Sequence, residues 1–320
     1  MKYRNFYEFE EYYSILFSEK KYDEVLNLLH HANELLPKDE YEKSLFELMI
    51  DEARIYTQTN DIDGCLNVIK KSLEKGYSFP LNFARFNFLR EHPEYEAINN
   101  LNEKLLRQLK ENSEFKYEVH LPKSYDSTKK YPLFFCLHGD GIGCNMKDTS
   151  YYWSPDVLLE KGYIVVYPQS SQVYCHNCFG WLSDPALSRK ELKACYEQLL
   201  SDYSIDETYV LIGGFSGGAT TSIDIAFHNT IPIKGAIALC PGDYLDSLGL
   251  EDAKKLAERK VKIVILEGEK DTDSVVQHLL KMFKESGLVH EYHINKGIGH
   301  SYPKDLAEKT LKAVEFIVNN

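Results

Sequence analysis

The chain has 320 residues, 43% of them hydrophobic, with 49 acidic against 37 basic side chains and a formal charge of −12. That length and apolar content suffice for one large core or two. The acidic balance excludes a surface that tracks phosphates, which depends on clustered Lys and Arg, so nucleic acid is not an expected partner.

At the N-terminus, MKYRNFYEFEEYYSILF carries acids throughout and has no uninterrupted apolar stretch, so no secretory signal is expected. Nowhere does an apolar run reach the roughly 18 residues that a membrane-spanning helix needs. The 7 cysteines, an odd number scattered along the chain, fit a reducing compartment better than a disulfide framework. A cytoplasmic protein without a membrane span is expected.

From residue 5 to about 112 apolar residues recur three and four apart, the period of amphipathic helices. YDEVLNLLHHANELL from Tyr22 and IDGCLNVIKKSLEKG from Ile62 align at an offset of 40, setting Leu26 on Leu66, Asn27 on Asn67, Leu28 on Val68 and Leu29 on Ile69. Each copy follows another helical segment, so the predicted unit is a helix pair that buries its stripe by stacking on a neighbour. These segments resemble tetratricopeptide-type repeats, although the spacing exceeds the usual length of about 34 and the signature is degenerate. FNFLREHPEYEAINNL, Phe86 to Leu101, resembles the closing segment that follows such repeats. A helical, tetratricopeptide-like domain is expected over 1–112, with a plain helical bundle as the alternative. Its repeats offer a surface for a protein partner.

After Ser113 the texture changes. Short apolar or β-branched runs (KYEVHL, LFFCLHG, YIVVYP, YVLIGG, KGAIAL, KIVILEG, VHEYHIN) alternate with helical stretches at about 154–161, 188–203, 217–229, 251–259, 273–286 and 303–318. Strands alternating with helices predict βαβ units and a mostly parallel sheet covered on both faces over 113–320. In such sheets ligands bind beyond the carboxyl ends of the strands.

Three of those ends carry chemistry. YVLIGGFSGGATTS passes from a strand through glycines into a helix, and Gly214-Phe215-Ser216-Gly217-Gly218 fits G-x-S-x-G. Such a turn exposes the Ser216 hydroxyl at a helix N-terminus; a glycine-padded structural turn is the plainer reading. A serine hydroxyl needs a base, and the base an orienting acceptor. KIVILEGEKDTD delivers Asp271 beyond a strand, with Glu269 and Asp273 as rivals and Asp273 the better helix cap. YHINKGIGHSYP delivers His300 from a glycine-bearing loop. The order Ser, Asp, His is the one this architecture uses. Upstream, LFFCLHGDGIG ends a strand in a glycine-rich loop suited to supplying an oxyanion-hole amide.

Together these residues resemble the α/β-hydrolase superfamily of serine esterases over about 115–320. Within it the chain is similar to the phospholipase/carboxylesterase, thioesterase and esterase D/polyhydroxybutyrate depolymerase group. The motifs that carry the resemblance are the HG-containing loop, YPQ, GW, G-F-S-G-G, GEKD and GIGH. The resemblance implies Ser216 as nucleophile, His300 as base, Asp271 as orienter, and the N–H groups of Gly217 and Asp140, with Gly141 as second choice, as oxyanion donors. Asp140 departs from the usual pattern, because a carboxylate aimed at a developing oxyanion would oppose catalysis; its side chain is expected to turn away and leave only its amide.

Phe215 and Trp181 are candidate substrate contacts, although Trp181 reads first as a core aromatic and only second as part of the substrate wall. Cys175-His-Asn-Cys178 lacks the second Cys pair that a structural zinc site needs, and a cluster with Cys144 is the remaining metal reading. Reduced thiols near the active-site rim, no metal site and no cofactor are expected. The expected reaction is acyl transfer from a small-molecule ester or thioester, failing below about pH 6.5 as an ordinary imidazole is protonated. A peptidase of the same fold and a non-enzymatic interaction protein are the alternatives.

Overall fold

The computed structural model describes residues 2–242, 248–271 and 274–319. The chain divides into two compact units, Met1–Asn112 with Tyr174–Asn177, and Ser113–Val173 with Cys178–Asn320.

The first unit is helical: α1 (Phe6–Ser18), α2 (Tyr22–His30), α3 (Ala32–Leu35), α4 (Lys38–Lys43), α5 (Leu45–Thr59), α6 (Ile62–Glu74), a 3₁₀ helix over Ala84–Glu91, and α7 (Tyr95–Glu111). Asn5 and Asp61 start α1 and α6 by accepting from the amides of Glu8 and Gly64, both at 2.9 Å. Neighbours pack in succession, α1 on α2, α2 on α5, α5 on α6 and α6 on α7. The two aligned segments fall on α2 and α6 and bury corresponding positions, Val25 with Cys65 and Leu29 with Ile69. A buried hydrogen bond of 2.5 Å from Tyr13 to Asp51, itself paired with Arg54 at 2.7 Å, ties α1 to α5. Within this unit the His176 ring stacks on Tyr77 at 4.1 Å, and its amide donates to Ser78 O at 3.0 Å.

The strands are β1 (Lys116–His120), β2 (Tyr131–Leu137), β3 (Ile164–Gln169), β4 (Gln172–Cys175), β5 (Cys178–Gly180), β6 (Ile205–Phe215), β7 (Gly235–Leu239), β8 (Lys262–Gly268) and β9 (His290–Asn295), and all but Tyr174 and Cys175 of β4 belong to the second unit. Its helices are α8 (Met146–Tyr152), α9 (Asp156–Glu160), α10 (Pro185–Asp202), α11 (Gly217–His228), α12 (Leu250–Glu258), α13 (Ser274–Ser286) and α14 (Leu306–Val318). Seven strands form one sheet in the order β1-β3-β2-β6-β7-β8-β9, antiparallel only between β1 and β3.

The strands read as continuous apolar runs because successive side chains point to opposite faces and both faces are covered. In β2, Leu133, Phe135 and Leu137 join one core with Leu192 and Leu199 of α10, Ile223 of α11, and Leu256 and Phe283. Phe134 and Cys136 join the other with Trp153, Leu158 and the α14 residues Leu306, Val314 and Ile317. Truncating a fully buried phenylalanine such as Phe134 or Phe135 costs about 3–5 kcal/mol in such a setting.

Two elements were not foreseen. The hairpin β4–β5 holds Cys175 and Cys178 at its two strand ends, with Asn177 in the turn at φ 53°. Helix α8 is too short to show a period, but Asn145 caps it by accepting from the amides of Lys147 and Asp148 at 2.9 and 3.0 Å.

Candidate active site

The parallel register brings the carboxyl ends of β2, β6, β7 and β8 level. Leu137 is opposite Gly214, Phe215 opposite Leu239, and Leu239 opposite Leu266, while Gly268 of β8 is opposite Asn295 of β9. The residues just past these ends are therefore neighbours in space although far apart in sequence.

Ser216 stands between β6 and α11 with φ 54° and ψ −119°. A non-glycine residue in such a conformation stores on the order of 1–3 kcal/mol of strain. Its amide donates to Leu239 O at 2.9 Å, holding the turn onto β7. The flanking glycines are steric requirements: a Cβ on Gly214 would come within 2.4 Å of the backbone carbon of Gly218, and one on Gly218 within 2.2 Å of His138 O. As the first residue of α11, Gly217 has an N–H with no intrahelical acceptor, at the positive end of the helix dipole.

His300 and Asp271 form a direct pair, His300 Nδ1 to Asp271 Oδ2 at 2.7 Å, with side chains 45% and 19% exposed. The His300 ring lies 4.9 Å from that of Phe215, the residue preceding Ser216. Of the rival acids, Glu269 accepts from the Gly297 amide at 2.8 Å and so holds the base of the histidine loop; Asp273 lies outside the described residues.

The loop after β2 is clamped at every turn. His138 is wholly buried. Its Nε2 accepts from the Ser170 amide at 3.2 Å, which leaves the proton on Nδ1 to be donated to Gly139 O at 2.6 Å. Burial depresses its pKa to about 4, so the ring is neutral at physiological pH. In the trans peptide between Gly139 and Asp140 the C=O and N–H point in opposite directions, so fixing Gly139 O also fixes the aim of the Asp140 N–H. The Asp140 carboxylate accepts from the amides of Trp181 (2.9 and 3.0 Å) and Leu182 (3.0 Å), which disperses its charge. That carboxylate also lies against Gly217, where an added Cβ would come within 2.0 Å of Oδ1.

Two expectations need correction, for Gly141 and for the cysteine pair, and of the two readings of Trp181 the core one holds. Gly141 gives its N–H to Phe179 O at 3.0 Å and is not available as an oxyanion donor. Trp181 is fully enclosed, stacked on His138 at 4.7 Å with its indole N–H on His138 O at 2.9 Å, so it supports the loop from within the core and does not wall a substrate. Cys175 and Cys178 are buried at the hairpin and do not line a rim. Among the described residues they form no metal-ligand cluster with Cys144.

Two features escaped the sequence reading. Phe215 also packs on Tyr302 at 4.4 Å, which stacks on Tyr152 at 5.2 Å, giving a run of rings beside Ser216. Cys240, the residue after β7, is buried at φ 51°, and burial together with the nearby Asp271 carboxylate pushes its thiol up to about 12. Its place at a strand's carboxyl end was the available signal.

No helix among the described residues is long and apolar enough to cross a membrane. No family model matches the chain. A stretch of 47 residues, 15% of the chain, is 43% identical to a probable dipeptidyl-peptidase 5 of Aspergillus terreus, and the match spans only 6% of that relative's length. An uncharacterised protein from Bacillus cereus ATCC 10987 superposes with a TM-score of 0.55 at 22% identity, covering 98% of this chain and 99% of its own. The esterase PE8 superposes with a TM-score of 0.50 at 18% identity, covering 64% of this chain and all of its own. Strand order, parallel register and these likenesses give the second unit the α/β-hydrolase fold.

Proposed function

We propose that this chain is a serine hydrolase that cleaves a carboxylic ester or thioester through an acyl-enzyme. The observation that carries this reading is the 2.7 Å contact between His300 Nδ1 and Asp271, with the His300 ring standing beside a strained Ser216 turn. Asp271 holds the Nδ1 proton and so leaves Nε2 as the basic nitrogen. Nε2 takes the proton of Ser216 as Oγ attacks the carbonyl carbon. The oxyanion that forms is held by the N–H groups of Gly217 and Asp140, preorganised donors that need no rearrangement as charge develops. Collapse of the tetrahedral species expels the alcohol or thiol, which leaves with the proton from Nε2. Water then repeats the sequence on the acyl-enzyme, giving up its proton to Nε2 and releasing the acid and Ser216. The exposed part of Phe215 is assigned to contact the substrate.

A peptidase on the same residues is the second reading, favoured by the local identity with a probable dipeptidyl-peptidase 5. The same machinery serves both, and the leaving group separates them. Turnover of p-nitrophenyl esters and of aminoacyl p-nitroanilides should be measured side by side with Ser216→Ala as control. Ester cleavage that depends on Ser216, with anilide cleavage far slower, supports the esterase. The reverse ratio gives the peptidase, and turnover of neither substrate class above the Ser216→Ala background sinks both.

A further inference from the structure

Three different ligand atoms converge around Asp271. Cys240 Sγ, a carboxylate oxygen of Asp271 and a ring nitrogen of His300 all lie within 4.8 Å of one another. They come from three separate segments, the end of β7, the loop after β8 and the loop after β9. Cys240 is held there in a left-handed backbone conformation that a cysteine rarely adopts, and among the described residues no other group of Cys, His, Asp or Glu converges in this way.

We propose that Cys240, Asp271 and His300 form a capture site for a thiophilic divalent cation, Zn²⁺ or Cd²⁺, whose binding shuts the hydrolase off. Thiolate, imidazole and carboxylate are the ligand types zinc prefers, and three protein ligands with an open fourth position is a familiar zinc arrangement. Bond lengths of about 2.0–2.3 Å set donor atoms about 3.5 Å apart in a tetrahedral site, so the 2.7 Å Asp271–His300 contact opens and the approach to Cys240 tightens, each by roughly 1 Å. The shift falls on Asp271 and His300, which sit on loops and reach solvent, while Cys240 stays anchored in the core.

The proton balance explains the inhibition. The thiol proton leaves to solvent as sulfur binds the metal. The Nδ1 proton of His300 is displaced and reappears on Nε2, a change of tautomer, so the site releases one net proton per cation. A protonated Nε2 has no lone pair to accept the proton of Ser216, and acyl transfer stops. Binding itself depends only on the three ligands; the inhibition rests on the proposed role of His300 as base.

The test uses the full chain and two readouts. Cd²⁺ is titrated while thiolate-to-metal absorption in the near ultraviolet and proton release in weak buffer are followed. Ester turnover is measured with Zn²⁺ and after chelation, each protein being compared with its own metal-free rate. One equivalent of cadmium, one proton released and chelator-reversible inhibition are expected. Cys240→Ser should weaken binding and inhibition about tenfold or more, and Cys144→Ser should change neither. If Cys240→Ser fails to fold, His300→Gln, on an exposed loop, should show the same loss of cadmium affinity. Absence of the absorption band at stoichiometric metal, or inhibition that persists in Cys240→Ser, overturns the site. Cadmium bound through Cys240 with ester turnover unaffected refutes the role of His300 and leaves the site standing.

Discussion

The two sides of Ser216 are built in opposite ways. On one side, residues 138–141 are locked: a buried neutral histidine holds Gly139 O, Trp181 holds His138 O, the Asp140 carboxylate holds two amides, and Gly141 is spent on Phe179. On the other, His300 and Asp271 form a two-member pair open to water, with nearly half of the imidazole exposed. Stabilising an oxyanion calls for dipoles that do not reorganise, and buried hydrogen bonds supply that rigidity. Moving a proton calls for a group that can titrate and reach water, which burial would prevent. In the proposed mechanism, the difference between the two sides is the difference between these tasks.

Substitutions on the two sides should break the proposed hydrolase in different ways. The largest loss is at the reacting groups: Ser216→Ala or His300→Ala should each lower kcat on the order of 10⁶-fold, with unfolding little changed because His300 is exposed and Ser216→Ala keeps the Cβ. A loss below about 100-fold in steady-state ester turnover would contradict the roles given to them. Asp271→Asn should cost about 10⁴-fold, since it no longer selects the tautomer that leaves Nε2 free; an unchanged rate would transfer the orienting role to another acid.

The rigid side should respond less in rate and more in stability. Gly217→Ala drives a methyl into the Asp140 carboxylate, pulling the loop off its anchors, and kcat should fall about 10²- to 10³-fold with KM little changed. A rise in KM alone would show that the loop binds substrate and does not stabilise the transition state.

The smallest expected effect is a pH slope. His138 has its pKa depressed to about 4 in the folded chain, while an unfolded histidine titrates near 6.5. Between those values the unfolded state binds more protons, so stability falls as pH drops from 6.5 to 4, by about 3 kcal/mol from this group. Urea unfolding of the native chain and His138→Asn at pH 7 and pH 4.5 should show the substitution removing most of that slope. An identical slope in both would mean that the ring is not held neutral.

Much of this was legible in the sequence for a physical reason: turns that must hold an exposed serine or approach another backbone demand glycine, and Gly214 and Gly218 announce the elbow before any coordinates are known. Strands covered on both faces announce themselves as apolar runs, as LFFCL and KIVIL do. What stayed hidden was decided by packing. Trp181 reads as a core aromatic, but only its partners show that it braces His138. Gly141 resembles an amide donor until Phe179 O is seen to occupy it. Cys240 ends the run AIALC as an ordinary core residue, and its approach to Asp271 and His300 depends on the register of β7 against β8. Hairpin β4–β5 and helix α8 are too short for a period to emerge.

The central claim is that His300 makes the hydroxyl of Ser216 an attacking group. Reaction with a fluorophosphonate, followed by intact mass and peptide mapping, measures this directly. One equivalent of label on Ser216, formed rapidly in the native chain and lost or slowed by orders of magnitude in His300→Ala, is the expected result. No adduct on Ser216, or the same labelling rate without the imidazole, would contradict it.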